Sequence, residues 1–274
     1  MAVFIKWCYK YNKHKSILKC KYQISFKFMK KKHMILPEFS QRLIWGPLRF
    51  IMIVFCSLEV KGVHNIKNIK GKKIFASNHQ SELDPLLIVA CLPFLSRLFP
   101  IIYVTREKCF YMGRNWKKWQ KFLYGGTFFR IIGGYQTYVG LKNYGLALRN
   151  HLETLSIGNN VGIFPTGKRV KTQDDAIKAK GGVSFLAQKS NAPIIPVLIQ
   201  GLENLTFKNI FSREMKVTVT FGSPLYLKDI VQNPKKMIIN DKLNDYEIAA
   251  TKIWEHIKKL SYKENLKSAY SVAR

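Results

Sequence analysis

From residue 60 onward the chain alternates short apolar runs of two kinds, and that alternation limits the folds open to it. KKIFASN, RLFPIIYVT, NNVGIFPT, APIIPVLIQG and MKVTVTFGSPL read as strands. PLLIVACL, NYGLALRNHLETL, GGVSFLAQKS and NDYEIAATKIWEHIKKL read as helices. In the last of these, Ile248, Thr251, Ile253, Trp254 and Ile257 recur near the helical period. Strands and helices in alternation predict an α/β fold, with a mixed, mostly parallel central sheet flanked by helices. A chain of 274 residues suits one large domain of this kind and allows a sizeable core. No internal repeat or low-complexity linker interrupts it after residue 60, so residues 60–260 predict one domain and residues 261–274 a C-terminal tail.

What precedes the domain differs in kind. Residues 1–42 form a basic N-terminal segment, and its first 37 residues carry ten lysines and no acid. Its basic stretch is too long, and its apolar runs too short, for a signal peptide. Three readings stay open: a segment lying on an anionic membrane surface, a disordered tail, or residues outside the functional protein. LIWGPLRFIMIVFCSL then opens an apolar stretch, residues 43–59, that falls short of the ~20 residues a spanning helix needs. Pro47 and Arg49 interrupt its first half. It reads as a monotopic helix lying in one leaflet, with a buried core helix as the other reading.

Charge and cysteine usage narrow the setting. The chain has 46 Lys+Arg against 16 Asp+Glu, a formal charge of +30. Such a surplus attracts nucleic acid, anionic lipid headgroups or phosphorylated substrates, although a lysine-rich proteome gives the same number without any partner. Basic grooves with aromatic platforms do bind single-stranded nucleic acid, but that reading leaves the apolar stretch unexplained. The five cysteines are scattered and odd in number, with no C-x-x-C and no Cys/His cluster. Neither a metal site nor a disulfide framework is expected, and a reducing compartment is the simpler reading. With the one-leaflet reading of residues 43–59, the expected location is the cytoplasmic face of a membrane.

The richest stretch is SNHQSELDP, Ser77 to Pro85, between two apolar runs. His79 and Asp84 are five residues apart, which on a helix would point them ~140° away from each other. On a strand the odd separation sends them to opposite faces. They meet only if the chain turns between them. Asp84 followed by Pro85 reads as a helix N-cap with proline at the first helical position, and so supplies that turn. Two readings follow. Asp84 caps a helix beside an ordinary loop histidine, or its carboxylate holds one ring nitrogen of His79 and leaves the other free to take a proton.

Three further stretches fall at predicted strand ends, where ligands bind in open α/β sheets. IFPTGKR, residues 163–169, stops at Pro165, turns at Gly167 and exposes Lys168 and Arg169, a candidate phosphate clamp or else a solvated loop. KAKGGVSFLA, residues 178–187, opens a helix with Lys180 and two glycines, and such helix N-termini bind phosphate. APIIPVLIQG mainly lines the core.

In this order NHQSELD, IFPTGKR, KGGVSFLA and APIIPVLI resemble the glycerolipid acyltransferases, the lysophosphatidate (1-acylglycerol-3-phosphate) acyltransferase group in particular. The resemblance covers about residues 45–225 and includes VKGVHNIK, residues 60–67. His79 and Asp84 match the signature Asn-His-x-Ser-x-x-Asp. The signature Phe-Pro-Glu-Gly-Thr-Arg keeps Phe164, Pro165, Gly167 and Arg169 but has Thr166 for its glutamate and Lys168 for its threonine. The signature Gly-x-x-Phe-x-x-Arg is not cleanly present. GGTFFR offers Arg130 out of register, and residues 133–144 offer Lys142.

The resemblance implies transfer of an acyl group from acyl-CoA or acyl carrier protein to a lysophospholipid hydroxyl, without metal or organic cofactor and without an acyl-enzyme. His79 would act as general base and Asp84 as its orienter. Ser81 reads as a loop or capping hydroxyl, and backbone N–H groups at the following helix start would stabilise the oxyanion. Arg169, Lys168, Lys180 and Arg130, with the turn at Gly167, would bind the acceptor phosphate. Other lipid acceptors, or a catalytically weakened lipid-binding relative, remain the alternatives. Nucleic acid is not an expected partner.

Overall fold

The structure, a computed structural model, describes residues 6–7, 22–23, 29–106, 127–138, 143–170, 178–203, 205–232, 234 and 244–272. Most of the basic segment 1–37, and Lys142, lie outside the described residues.

One seven-stranded sheet organises the domain. Its strands are β1 (Glu59–Lys61), β2 (Ile74–Ser77), β3 (Ile101–Thr105), β4 (Gly134–Gln136), β5 (Asn160–Ile163), β6 (Ile194–Gln200) and β7 (Thr218–Phe221). They lie in the order β1-β7-β6-β2-β5-β3-β4. Every neighbouring pair is parallel except β6 with β7. The mixed, mostly parallel sheet expected from the sequence is therefore the one found. The three-residue edge strands β1 and β4 are additions, too short to show a period of two.

Both faces are covered. Ile194 and Leu198 of β6 join one apolar cluster, and Ile195, Val197 and Ile199 join the other. A strand buried on both sides reads as one continuous apolar run, which is why IIPVLI has no polar alternation. Helices α1 (Lys32–Cys56) and α2 (Asp84–Cys91) pack on the second face. Helices α3 (Arg149–Ser156), α4 (Gly182–Ser190) and α5 (Asn244–Val272) pack on the first.

Three boundaries differ from the expectation. NYGLALRNHLETL forms two helices, broken at Leu148, whose φ of −109° and ψ of 16° leave the helical region. Helix α5 runs on to Val272, through residues read as a C-terminal tail. Helix α1 begins at Lys32, so residues 32–42 belong with the apolar stretch rather than with a separate basic segment. It ends where Ser57 takes a φ of 42°.

With those residues added, α1 is long and apolar enough to cross a membrane by length and composition. One side of it is nonetheless fastened to the domain. Gln41 donates to the carbonyls of Ile101 (2.7 Å) and Ile132 (3.0 Å) and accepts the Ile101 N–H (3.0 Å). Trp45 and Arg49 donate to the carbonyls of Leu92 and Ala90, which the end of α2 leaves without helical partners. Arg49, an interruption in the apolar sequence, thus closes the neighbouring helix. The other side of α1 presents Ile35, Leu36, Phe39, Leu43 and Phe50, each more than half exposed. Phe94 and Leu95, just beyond α2, are exposed too. Phe94 lines an apolar groove of about 540 Å³ with Phe39, Leu43 and Trp45.

Candidate active site

Strand β2 stops at Ser77, near the middle of the sheet, and the next residue extends its ladder by side chain alone. Asn78 donates to the Ile199 carbonyl and accepts the Ile199 N–H, both at 2.7 Å. The chain then leaves the sheet at His79. Asp84, at the start of α2, returns towards it, with Nδ1 of His79 at 2.7 Å from Oδ2 of Asp84. The Asp84 side chain is 0% exposed and the His79 side chain 21% exposed. One ring nitrogen is thus engaged in the interior while part of the ring reaches solvent.

Asp84 does not cap its helix. Leu83 occupies the cap position and Asp84 is the first helical residue. Its carboxylate turns back over the loop and accepts the N–H groups of Gln80 (2.6 Å) and Ser81 (3.0 Å) and the Ser81 hydroxyl (2.7 Å). A buried anion needs such donors to offset its lost hydration. The turn required by the five-residue spacing is therefore built on Asp84 itself. Ser81 also accepts the Leu83 N–H (3.2 Å). Of the helix-start amides nominated for an oxyanion, that of Leu83 is thus committed to Ser81, and Pro85 has none.

An aromatic column fixes the imidazole plane. Phe164 stacks on His79 with centroids 4.2 Å apart and planes 19° apart. Tyr103 stands behind Phe164 at 6.2 Å and 15°. Gly162 makes room for it, since a Cβ there would lie 2.2 Å from the Tyr103 ring.

The IFPTGKR turn lies against the same loop, because the Val170 N–H donates to the His79 carbonyl (2.8 Å). Gly167 takes a φ of 62°, a conformation that favours glycine, and its N–H closes the turn on the Phe164 carbonyl. Thr166 is buried and donates to the Lys168 carbonyl (2.7 Å). Lys168 and Arg169 are exposed on this turn. Lys180 joins them, its N–H on the Pro165 carbonyl (2.7 Å) and its stem beside Gly167. Arg169 pairs with Glu82 of the His79 loop at 3.1 Å. Arg106, which sequence reasoning did not single out, reaches the Gly167 carbonyl at 3.3 Å. Its signal was its place directly after an apolar strand, at the sheet edge where ligands bind.

A family model described as Acyltransferase matches residues 57–200, which span this loop, this turn and the strands behind them. The chain belongs to the acyltransferase family. The fold is also that of a crystal structure of the 1-acyl-sn-glycerophosphate (LPA) acyltransferase PlsC from Thermotoga maritima. The two share 21% identity over 85% of each chain, with a TM-score of 0.51.

One other expectation about this acyltransferase is corrected. Arg130 precedes β4, at the sheet edge opposite His79, and its guanidinium stacks 5.8 Å from the Tyr135 ring. It does not join the other cations. At the helix start in KAKGGVSFLA, Gly181 answers a packing need that the sequence did not show. A Cβ on Gly181 would lie 2.6 Å from Cβ of Tyr246 and 2.7 Å from the Tyr144 hydroxyl. The described thiols, Cys56 and Cys91, are buried, and burial pushes Cys91 up to about 12. Neither they nor Ser81, which is tied to Asp84, are poised as nucleophiles.

Proposed function

We propose that this acyltransferase moves a fatty acyl group from acyl-CoA or acyl carrier protein to the hydroxyl of a lysophospholipid, most directly 1-acylglycerol-3-phosphate. The observation that carries this reading is the 2.7 Å contact between Nδ1 of His79 and the buried carboxylate of Asp84. With Nδ1–H donating to Asp84, Nε2 keeps its lone pair. Nε2 takes the proton of the acceptor hydroxyl as that oxygen attacks the thioester carbonyl, and Asp84 offsets the imidazolium charge. Collapse of the tetrahedral intermediate forms the ester and expels the thiolate, which takes the proton back from His79. No acyl-enzyme forms, and the proposed chemistry needs no metal or organic cofactor. A positioned base supplies ~10²–10⁴-fold in rate. Holding donor and acceptor together at a membrane supplies much of the remainder.

Arg169, Lys168 and Lys180, with Arg106, form the cationic rim that receives the acceptor phosphate. The Thermotoga maritima protein of the same fold is a 1-acyl-sn-glycerophosphate acyltransferase, which supports that acceptor class. The exposed side of α1 enters one leaflet while Gln41, Trp45 and Arg49 keep the helix on the domain. This makes the protein monotopic, on the cytoplasmic face. A second reading, a lipid-binding relative with weakened activity, is favoured by Thr166, a neutral residue where the resembled signature has glutamate.

Radiolabelled acyl-CoA and acyl carrier protein, offered with a panel of lysophospholipids in vesicles, test the proposal. Transfer should be fastest to lysophosphatidate. Transfer to a different headgroup alone would replace the acceptor and leave the chemistry standing. Vesicle binding without transfer to any acceptor would favour the weakened relative.

A further inference from the structure

Glu82 is the one exposed side chain of the loop from His79 to Asp84, apart from the partly buried His79 and Leu83. Everything beneath it is fastened. Asp84 accepts from Gln80 and Ser81, and the Gln80 amide bonds to Glu203 and to the Leu202 N–H. From this fixed base, Glu82 reaches across to Arg169, 87 residues away, at 3.1 Å. The backbone bond from Val170 to His79 fastens the same two segments directly beside it.

The contact involves one guanidinium nitrogen and one carboxylate oxygen. Arg169 therefore keeps further N–H donors, in a planar fork suited to phosphate. Its side chain is half exposed, so those donors remain accessible. A long side chain on a turn would otherwise sample many rotamers, and ordering it on binding costs affinity. Thr166 cannot hold it, because that hydroxyl is buried and donates to the Lys168 carbonyl. In the signature this chain resembles, a glutamate stands at position 166. Here the turn interior is neutral, and the carboxylate comes from the neighbouring loop.

We propose that Glu82 is a positioning residue for acceptor recognition: it holds the Arg169 guanidinium beside His79, in place of a carboxylate at position 166. The inference rests on the acceptor-phosphate role given to Arg169 above. Glu82 acts through Arg169 and takes no part in the proton transfer. Its effect belongs in acceptor affinity, not in the chemical step or in donor binding.

The test measures initial rates against lysophosphatidate and against acyl-CoA for wild type, Glu82→Gln, Arg169→Gln, the double variant, and Glu82→Gln with Thr166→Glu. Half-exposed ion pairs contribute little, so Glu82→Gln should raise the acceptor KM about threefold to fivefold, not by orders of magnitude. The acyl-CoA KM and kcat should stay within about twofold of wild type, the margin a pair this exposed allows. Glu82→Gln should add nothing once Arg169 is Gln, since coupled residues fail to add. Thr166→Glu should restore the acceptor KM in the Glu82→Gln background. An unchanged or lowered acceptor KM in Glu82→Gln would overturn the proposal, as would an effect that persists without Arg169. If wild type proves unable to acylate lysophosphatidate, the acceptor reading falls by itself. The same variants are then compared by binding of lysophosphatidate in mixed micelles. Weaker binding by Glu82→Gln than by wild type still supports the positioning role, and equal binding or none by both overturns it.

Discussion

Asp84 accepts from three donors besides His79, and that changes what its substitution should do. Asp84→Asn keeps the shape but sets an amide NH₂ among converging N–H and O–H donors. An unmatched buried donor costs ~1–3 kcal/mol, so the melting temperature should fall. The protein that remains folded should turn over at least about a hundredfold more slowly, because the charge supporting imidazolium is gone. Thermal melts and rates on the same preparation check both effects. A variant that melts early yet turns over normally while folded would leave Asp84 with a structural role alone. A second residue gives a pH signature. His151 is fully buried, its Nε2 at 3.4 Å from the Tyr103 carbonyl, and burial pushes it down from 6.5 to about 4. The unfolded chain therefore binds a proton between about pH 6.5 and 4 that the folded protein refuses. The stabilisation is complete above pH 6.5 and lost as pH falls through that window, on the order of 3 kcal/mol. In His151→Leu, urea unfolding should lose this part of its pH dependence. Identical slopes in both proteins would contradict the account.

At the scale of elements, α1 joins the enzyme to its proposed surface. Leu36, Leu43 and Phe50 recur every seven residues on its exposed side. Leu36→Glu with Leu43→Glu should leave the melting temperature nearly unchanged, since both side chains are more than half exposed. Vesicle affinity should fall by more than about tenfold, given ~1.5–3 kcal/mol for each buried leucine. Sedimentation with anionic vesicles measures it, and undiminished binding would place the membrane contact elsewhere. Much of this architecture was legible in sequence. The five longer strands and the helices between them declare themselves through apolar period and length. Spacing and Asp-Pro left the His79–Asp84 pairing as one of two readings, and the resemblance to the acyltransferases was what favoured it. What escaped depends on distant neighbours. Lysines at 30–32 hid the start of α1, and nothing local shows that Arg49 closes α2. The glycines at 181 and 182 look like a phosphate-binding helix start, and nothing local shows Tyr144 and Tyr246 against Gly181. Arg130 misled because register in sequence does not tell one edge of a sheet from the other. Asp84 was expected at the cap, one position from where it stands, because Asp before Pro fits either.

Across the whole molecule, three separate constructions meet at one sheet edge. Asn78 ends β2 where the His79 loop must leave, Asp84 folds that loop back, and the Gly167 turn brings cations over it. The apolar side of α1 would hold this edge near a lipid surface. A surplus of +30 would draw the protein to anionic headgroups. The claim that joins these parts is acyl transfer with His79 as base. Its most direct test is transfer of radiolabelled acyl groups to lysophosphatidate in anionic vesicles, comparing wild type with His79→Ala at equal bound protein. Wild type should form the diacyl product, and His79→Ala should be slower by about 10²–10⁴-fold while melting at a similar temperature. Turnover by His79→Ala within about tenfold of wild type, well short of a general base's contribution, would contradict the account.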